Sequence, residues 1–164
     1  MKFGMLIILL SAVGALYAEQ TQVPLDVQTL SWAIKNNLCT INDGTLKIVG
    51  QYESGGKNFW QSVVISPASA VKMGQQVKIS ADIKTVVSPG TKGIFMVCFR
   101  LANANGQGIC YSGIYISQTQ DWKTCSNVFS IPENATKMQI YVVAQNMDAN
   151  SSGEVKNISW EFVK

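Results

Sequence analysis

The feature that most constrains this chain is a succession of short apolar or alternating runs, separated by glycine, asparagine, proline and serine. Valine, isoleucine, phenylalanine, tyrosine and threonine dominate these runs, and no window shows a sustained helical period. This pattern predicts short β-strands, and many short strands predict a sandwich or a barrel. The eight runs, in chain order, are TLKIVG, WQSVVIS, QVKISADIKTVV, GIFMVCFRLAN, GICYSGIYI, CSNVFSIP, KMQIYVVAQ and EVKNISWEFVK.

Residues 1–18 have the organisation of a secretory signal peptide. A lysine precedes an apolar run that begins at Phe3, and a small residue, Ala18, stands at the expected cleavage point. The run is shorter than the roughly 20 apolar residues that a transmembrane helix needs, so we expect no membrane span. We therefore expect a secreted protein, extracellular or periplasmic, with one mature domain over residues 19–164.

The composition excludes several classes of function. The chain contains no histidine, so catalytic triads, common zinc sites and most general-base schemes lose their usual partner. The net charge is only +3, and the basic residues are scattered along the chain. Nucleic-acid binding needs a clustered basic face, so we expect no nucleic-acid partner. A small glycan hydrolase with two carboxylates remains open, because Glu53, Asp82 and Asp121 are available acids.

All four cysteines lie in the predicted mature chain, and export with an even number of cysteines predicts two disulfides. The Asn-Gly pair at 105–106 predicts a β-hairpin between the fourth and fifth runs. If Cys98 and Cys110 share one face of that hairpin they can form a bridge, and Cys39 is then expected to pair with Cys125. A Cys110–Cys125 bridge between neighbouring sheet edges is the alternative.

The run DWKTCSNVFSIPENATKMQIYVV resembles a recurring stretch of carbohydrate-binding modules with the galactose-binding-like jelly-roll fold, the type of families 4, 9 and 22. MGQQVKISADIKT and LANANGQGI are similar to two further stretches of these modules. The resemblance covers residues 44–163. It implies an all-β, two-sheet antiparallel jelly-roll β-sandwich over 44–164, with residues 19–43 as an N-terminal covering segment.

Many of these modules hold a structural calcium ion through an Asn-Gly-x-Phe-Glu opening and two aspartates near the last strand. This chain has LSWAIKNN near its start, and Glu154 and Asn157 stand where the aspartates would be. The departure argues against calcium, and we expect no cofactor.

The jelly roll implies one sheet of the first, eighth, third and sixth runs, and a second sheet of the second, seventh, fourth and fifth. Alternation then turns Phe95 and Val97 inward on the fourth run, and Ile140 inward on the seventh. An outward aromatic ring suits the apolar face of a sugar, and amides and a guanidinium suit its hydroxyls. The outward candidates for carbohydrate binding are Trp60, Arg100, Gln139, Tyr141 and Gln145.

Two interpretations of this outer face remain open. The face either holds a glycan, or it is an ordinary polar surface that solvent or residues 19–43 cover. Trp60 is accordingly either a platform for a sugar or a core residue. Trp160 follows the core parity of the last run and is predicted to be buried, and Trp32 is a candidate plug for the end of the sandwich.

The leading hypothesis is an exported, non-catalytic carbohydrate-binding domain that holds a glycan or polysaccharide on the outer face of one sheet. The alternative is a secreted structural or protein-interaction β-sandwich, adhesin-like or an inhibitor, that holds a protein partner. The small glycan hydrolase is the third hypothesis.

Overall fold

Two antiparallel sheets make up the fold in a computed structural model, which describes residues 20–28, 30–53 and 59–163. The predicted signal peptide lies outside these residues. The elements are β1 (Thr21–Gln22), α1 (Ser31–Lys35), β2 (Thr40–Asn42), β3 (Thr45–Val49), β4 (Trp60–Val64), β5 (Ser69–Ala70), β6 (Gln76–Val86), β7 (Ile94–Ala102), β8 (Gly108–Ile116), β9 (Gln120–Ser130), β10 (Lys137–Gln145) and β11 (Ser152–Val163).

The order of the strands confirms the predicted all-β sandwich. The six-stranded sheet has the order β2-β3-β11-β6-β9, with β1 paired to β11. The five-stranded sheet has the order β4-β10-β7-β8, with β5 paired to β10. The eight runs of the sequence therefore divide between the two sheets as the jelly-roll resemblance implies. Within each sheet, each run also has the neighbours that the resemblance implies. The short elements β1, α1, β2 and β5 are additions to that plan.

The inner faces of the two sheets form the core. Burial alternates along β6, because every second side chain points to the other sheet. The Phe99 ring links the sheets: its centroid lies 5.8 Å from that of Phe129 and 5.9 Å from that of Trp160. Trp160 also packs edge-on against Phe162 at 5.3 Å. Trp160 therefore packs against the core from the inner face, as its parity predicted, although it is half-buried and not fully buried.

The outer face of the six-stranded sheet is polar. It carries three ion pairs, Lys47–Glu154, Lys78–Glu161 and Lys84–Asp121, with N–O distances of 3.3, 3.6 and 3.6 Å. The Asp82 carboxylate accepts hydrogen bonds from Thr124 at 2.6 Å and from Asn157 at 2.7 Å, which ties β6 to β9 and β11. This face is therefore a solvated surface, and ion pairs in contact with solvent contribute little to stability.

The N-terminal segment follows one edge of the sandwich. Its strands β1 and β2 pair with β11 and β3, and the Gln61 amide donates to the Leu38 carbonyl at 2.9 Å, which ties the segment to β4. Leu30 and Ala33 are the buried residues around α1. Trp32 is 69% exposed, so the expectation that it plugs the sandwich end is wrong.

The pairing of β7 with β8 corrects the predicted Cys98–Cys110 disulfide. Leu101 lies opposite Cys110, whereas Ala102 lies opposite Gly108, so a β-bulge adds one residue to β8. A shift of one residue turns every following side chain to the other face. Cys110 therefore faces inward with Leu101, while Cys98 faces outward opposite Gly113. Side chains on opposite faces of a sheet cannot form the expected bridge.

The other two cysteines are also free thiols. Cys39 is buried in the core, and the half-buried Cys125 lies 3.6 Å from the Lys123 carbonyl oxygen and 3.7 Å from the Gln120 amide. Neither the predicted Cys39–Cys125 bridge nor the alternative Cys110–Cys125 bridge is formed in the structure.

Candidate functional site

The structure places the five predicted site residues on the outer face of the five-stranded sheet. Trp60 on β4 lies directly opposite Gln145 on β10, and Arg100 on β7 lies opposite Gln139. Tyr141 stands between them on the central strand β10. Trp60 is 44% exposed, so it does not fill the core. Its role as a sugar platform remains a prediction.

Three aromatic side chains meet over this face, and we call them the aromatic cluster: Trp60, Tyr111 and Tyr141. The Trp60 and Tyr111 ring centroids lie 5.6 Å apart, and those of Tyr111 and Tyr141 lie 6.1 Å apart at nearly a right angle. Trp60 lies on β4 and Tyr111 on β8, the two outermost strands of the sheet's main path. Three strand spacings, about 14 Å, separate β4 from β8, so the two side chains lean toward each other across the face. The twist of the sheet favours this approach.

The same face carries an apolar floor formed by Met96, Cys98 and Val143, and Tyr141 packs against it. These side chains point outward, yet all three are buried. Alternation identified their face correctly but not their burial, because alternation does not reveal that Tyr141 and Ile94 pack against them. Burial also raises the pKa of the Cys98 thiol to about 12, so the floor is uncharged. The aromatic cluster and this floor together form the aromatic cleft.

Gly113 explains how β8 comes so close to β7. It lies opposite Cys98, and a Cβ added at Gly113 would stand 2.5 Å from the Cys98 Cα and 2.8 Å from its Cβ. Only glycine leaves room for this approach. Tyr111 is two residues away on the same face of β8, so the close approach at Gly113 also helps to set the distance of Tyr111 from β7.

Polar side chains surround the cleft. The Gln139 amide donates to the Ser66 carbonyl at 3.0 Å, and the Tyr141 hydroxyl donates to Gln139 Oε1 at 3.4 Å. The Arg100 guanidinium donates to the Gly106 carbonyl at 3.0 Å, so the hairpin turn anchors it. Because guanidinium has five N–H donors, this one bond leaves others for a ligand.

Sequence reasoning missed two aromatic residues of β8, Tyr111 and Tyr115. Both point to the outer face, opposite Arg100 and Met96. The Tyr115 hydroxyl donates to the Tyr111 carbonyl at 3.0 Å, and burial, with smaller contributions from Cys98 and Cys110, raises the Tyr115 pKa. The bulge near the hairpin reversed the faces of β8 relative to the expected parity. The Tyr-x-Gly-x-Tyr alternation at 111–115 was the available signal.

Two of the three acids considered for a hydrolase lie away from the cleft. Asp82 and Asp121 belong to β6 and β9 of the other sheet, where they bind Thr124, Asn157 and Lys84. Within residues 20–28, 30–53 and 59–163, no group of three or more histidine, cysteine, aspartate or glutamate residues is placed to hold a metal ion. Over the same residues, no helix has the length and apolarity to cross a bilayer.

The chain matches a known family over most of its length. The model of the carbohydrate-binding domain family CBM_4_9 matches residues 29–153. The chain belongs to this family of carbohydrate-binding domains. The match includes all the strands of the aromatic cleft, β4, β7, β8 and β10. No curated protein matches the chain.

Several solved structures are similar to this chain at low sequence identity. The apo structure of BiXyn10A CBM1 is 12% identical, over 87% of this chain and 89% of that one, with a TM-score of 0.50 that indicates the same fold. A CBM4 structure is 13% identical, over 76% and 75%, with a TM-score of 0.47. The enzymatically active domain of bacteriophage CBA120 tailspike protein 4 is 13% identical with a TM-score of 0.49; 88% of this chain aligns, but only 19% of the tailspike chain.

Proposed function

We propose that this carbohydrate-binding domain holds a glycan chain in the aromatic cleft and does not cleave it. The observation that carries the proposal is the aromatic cluster, in which Trp60 and Tyr111 are 44% and 39% exposed above a buried apolar floor. Exposed aromatic rings grouped over a concave surface are expensive to leave in water unless a ligand or partner covers them.

The chemistry of the cleft suits a sugar. A pyranose presents C–H groups on its faces and hydroxyls around its rim, so it needs a flat apolar surface with hydrogen-bonding groups beside it. Trp60 and Tyr141 supply rings, and Gln145 lies directly across from Trp60. Amide groups both donate and accept, which suits hydroxyls that do the same. Gln139 and Arg100 supply further polar groups at the hairpin end of the face.

The absence of acids on this face supports binding without cleavage. Among the described residues that point outward from β4, β7, β8 and β10, none is aspartate or glutamate. Hydrolysis of a glycosidic bond normally requires two carboxyl groups on either side of that bond. The domain therefore acts as a binding module, by itself or beside other domains.

Export remains part of the proposal. It rests on the sequence of residues 1–18, with a lysine followed by an apolar run and small residues near Ala18. N-terminal sequencing of protein recovered from the extracellular or periplasmic fraction should begin near residue 19. An uncleaved chain in the cytoplasmic fraction would contradict export without affecting the binding proposal.

The direct test is a panel of immobilised neutral and acidic polysaccharides, with the soluble fraction analysed for released sugars. We expect retention on at least one polysaccharide and no release of oligosaccharide on long incubation. Sugar release would support the hydrolase. Retention on no glycan, together with specific capture of one defined protein, would replace this proposal with the protein-interaction alternative.

A further inference from the structure

We propose that Trp32 forms an additional subsite beside the aromatic cleft, and that this subsite takes the continuation of a neutral glycan chain. The inference rests on the proposed function, because the chain must first be bound in the cleft. It assigns a role to the most exposed tryptophan of the described residues, which neither the core nor the aromatic cluster uses.

The subsite is a groove between α1 and the edge of β4, and we call it the edge groove. It has a volume of about 290 Å³ and is lined by Leu30, Trp32, Ala33 and residues 62–66. Leu30 and Ala33 are buried and form its base, whereas Trp32 is 69% exposed. An indole ring this exposed contributes little to folding. Because Trp32 also lines the groove, its ring is available to a ligand that enters the groove.

The edge groove is continuous with the outer face that carries the cleft. Ser62 and Val64 line the groove, and both also point to the outer face, where they lie opposite Val143 and Tyr141 on β10. Trp60 is two residues before Ser62 on the same strand and the same face. A ligand that leaves the cleft over β4 therefore enters the groove without crossing another element.

The backbone of β4 supplies polar groups there. The Ile65 N–H donates to the Ile140 carbonyl at 3.0 Å, so the peptide groups of Ile65 and Val63 point toward β10. In an antiparallel strand the alternate residues point the other way, so the peptide groups of Ser62 and Val64 point to the edge of the sheet. No described strand pairs with that edge. These peptide groups can meet sugar hydroxyls.

The lining of the groove indicates the class of sugar. None of its eight residues is ionisable: they are one tryptophan, two serines and five aliphatic residues. A carboxylate or sulfate group in such a groove would lose its hydration without gaining an opposite charge. The groove therefore fits uncharged hexose or pentose units, with one ring face against the indole of Trp32.

The position of the groove makes its effect depend on ligand length. Neighbouring strands lie about 4.8 Å apart, so a groove beyond β4 lies on the order of 10 Å from β10 across the sheet. A short oligosaccharide fills the cleft alone. A longer one covers β4 and reaches Trp32.

The test measures the affinity of uncharged gluco-, xylo- and galacto-oligosaccharides of two to eight units by calorimetry. For the series that binds, we expect Trp32→Ala to weaken the longest members roughly tenfold, by analogy with stacking on aromatic side chains. The shortest members that bind should be unaffected. Trp32→Phe should restore most of the loss. Trp122→Ala is the matched control, since Trp122 is 37% exposed on the six-stranded sheet.

The outcomes separate this inference from the proposed function. If Trp32→Ala binds oligosaccharides of every length as tightly as the wild type does, while Trp60→Ala binds them more weakly, the subsite is overturned. That result leaves the proposal of binding in the cleft intact. Loss at every length, including the shortest, also overturns it, because Trp32 would then act on the cleft itself. If the wild type binds none of the three series but binds an acidic polysaccharide, the neutral subsite is wrong. Binding to no glycan at all overturns both.

Discussion

The Trp60 and Tyr111 rings approach to 5.6 Å although they belong to β4 and β8, with β10 and β7 between them. The two outermost strands of the sheet's main path thus contribute to one aromatic surface, and Tyr141 on β10 contacts Tyr111 from the centre. This relationship converts the outer face of a sheet into a cleft with a buried floor. It also makes the cleft dependent on residues that position β8.

The position of β8 against β7 depends on Gly113, which lies opposite Cys98. We expect Gly113→Ala to lower the free energy of unfolding by about 1–3 kcal/mol, because the new Cβ would collide with the backbone of Cys98. Chemical denaturation measures the loss. Gly108→Ala is the control on the same strand, since its Cβ would meet only the flexible Arg100 side chain, at 3.2 Å. Equal stability of the two variants would refute the steric role of Gly113.

The cysteines make a second prediction, about chemical reactivity. The thiolate is the reactive species, so Cys98, with no exposed surface and a pKa of about 12, should resist alkylation in the folded protein. The half-buried Cys110 and Cys125 should react sooner. Mass spectrometry of timed alkylation measures this order. Early labelling of Cys98, or a Cys98–Cys110 peptide in a non-reducing digest, would contradict the β7–β8 register.

A third prediction concerns acid stability. Hydrogen bonds from Thr124, and then from Asn157, lower the Asp82 pKa below its ordinary value of 3.8. The carboxylate is therefore favoured in the folded state, and its stabilisation is complete above the unfolded pKa and lost as pH falls through the folded pKa. We expect the wild-type melting temperature to fall below about pH 4. The melting temperature of Asp82→Asn should fall less steeply with decreasing pH than that of the wild type. An identical pH dependence of the two melting temperatures would exclude this contribution of Asp82.

The sequence predicted the long strands and most of their faces because those depend on the two-residue period. Val63 and Ile65 identified the inner face of β4, which left Trp60 outward, and Phe95 and Val97 did the same for β7. Such patterns persist through a strand because a slip of one residue would expose the whole core side. Strand order came from the resemblance to jelly-roll modules, and the structure agrees with it.

The remaining features depend on contacts between distant residues. The bulge beside Ile109 reversed the parity of β8, so Tyr111 was missed and Cys110 was placed on the wrong face. The burial of Met96 depends on packing with Val143 and Tyr141 of β10, which alternation within β7 does not report. The exposure of Trp32 follows from the way α1 packs through Leu30 and Ala33.

Trp60 is expected to bind a sugar and not to belong to the core, and one paired measurement tests both expectations. The glycan is one that the wild type retains, and calorimetry measures its affinity. We expect the binding free energy of Trp60→Ala to be weaker than that of the wild type by about 1–3 kcal/mol, judged by stacking on other flat ligands. Its melting temperature should stay near that of the wild type, whereas Trp160→Ala should lose about 3 kcal/mol or more of stability. Unchanged glycan affinity in a folded Trp60→Ala, or a stability loss as large as that of Trp160→Ala, would contradict the account.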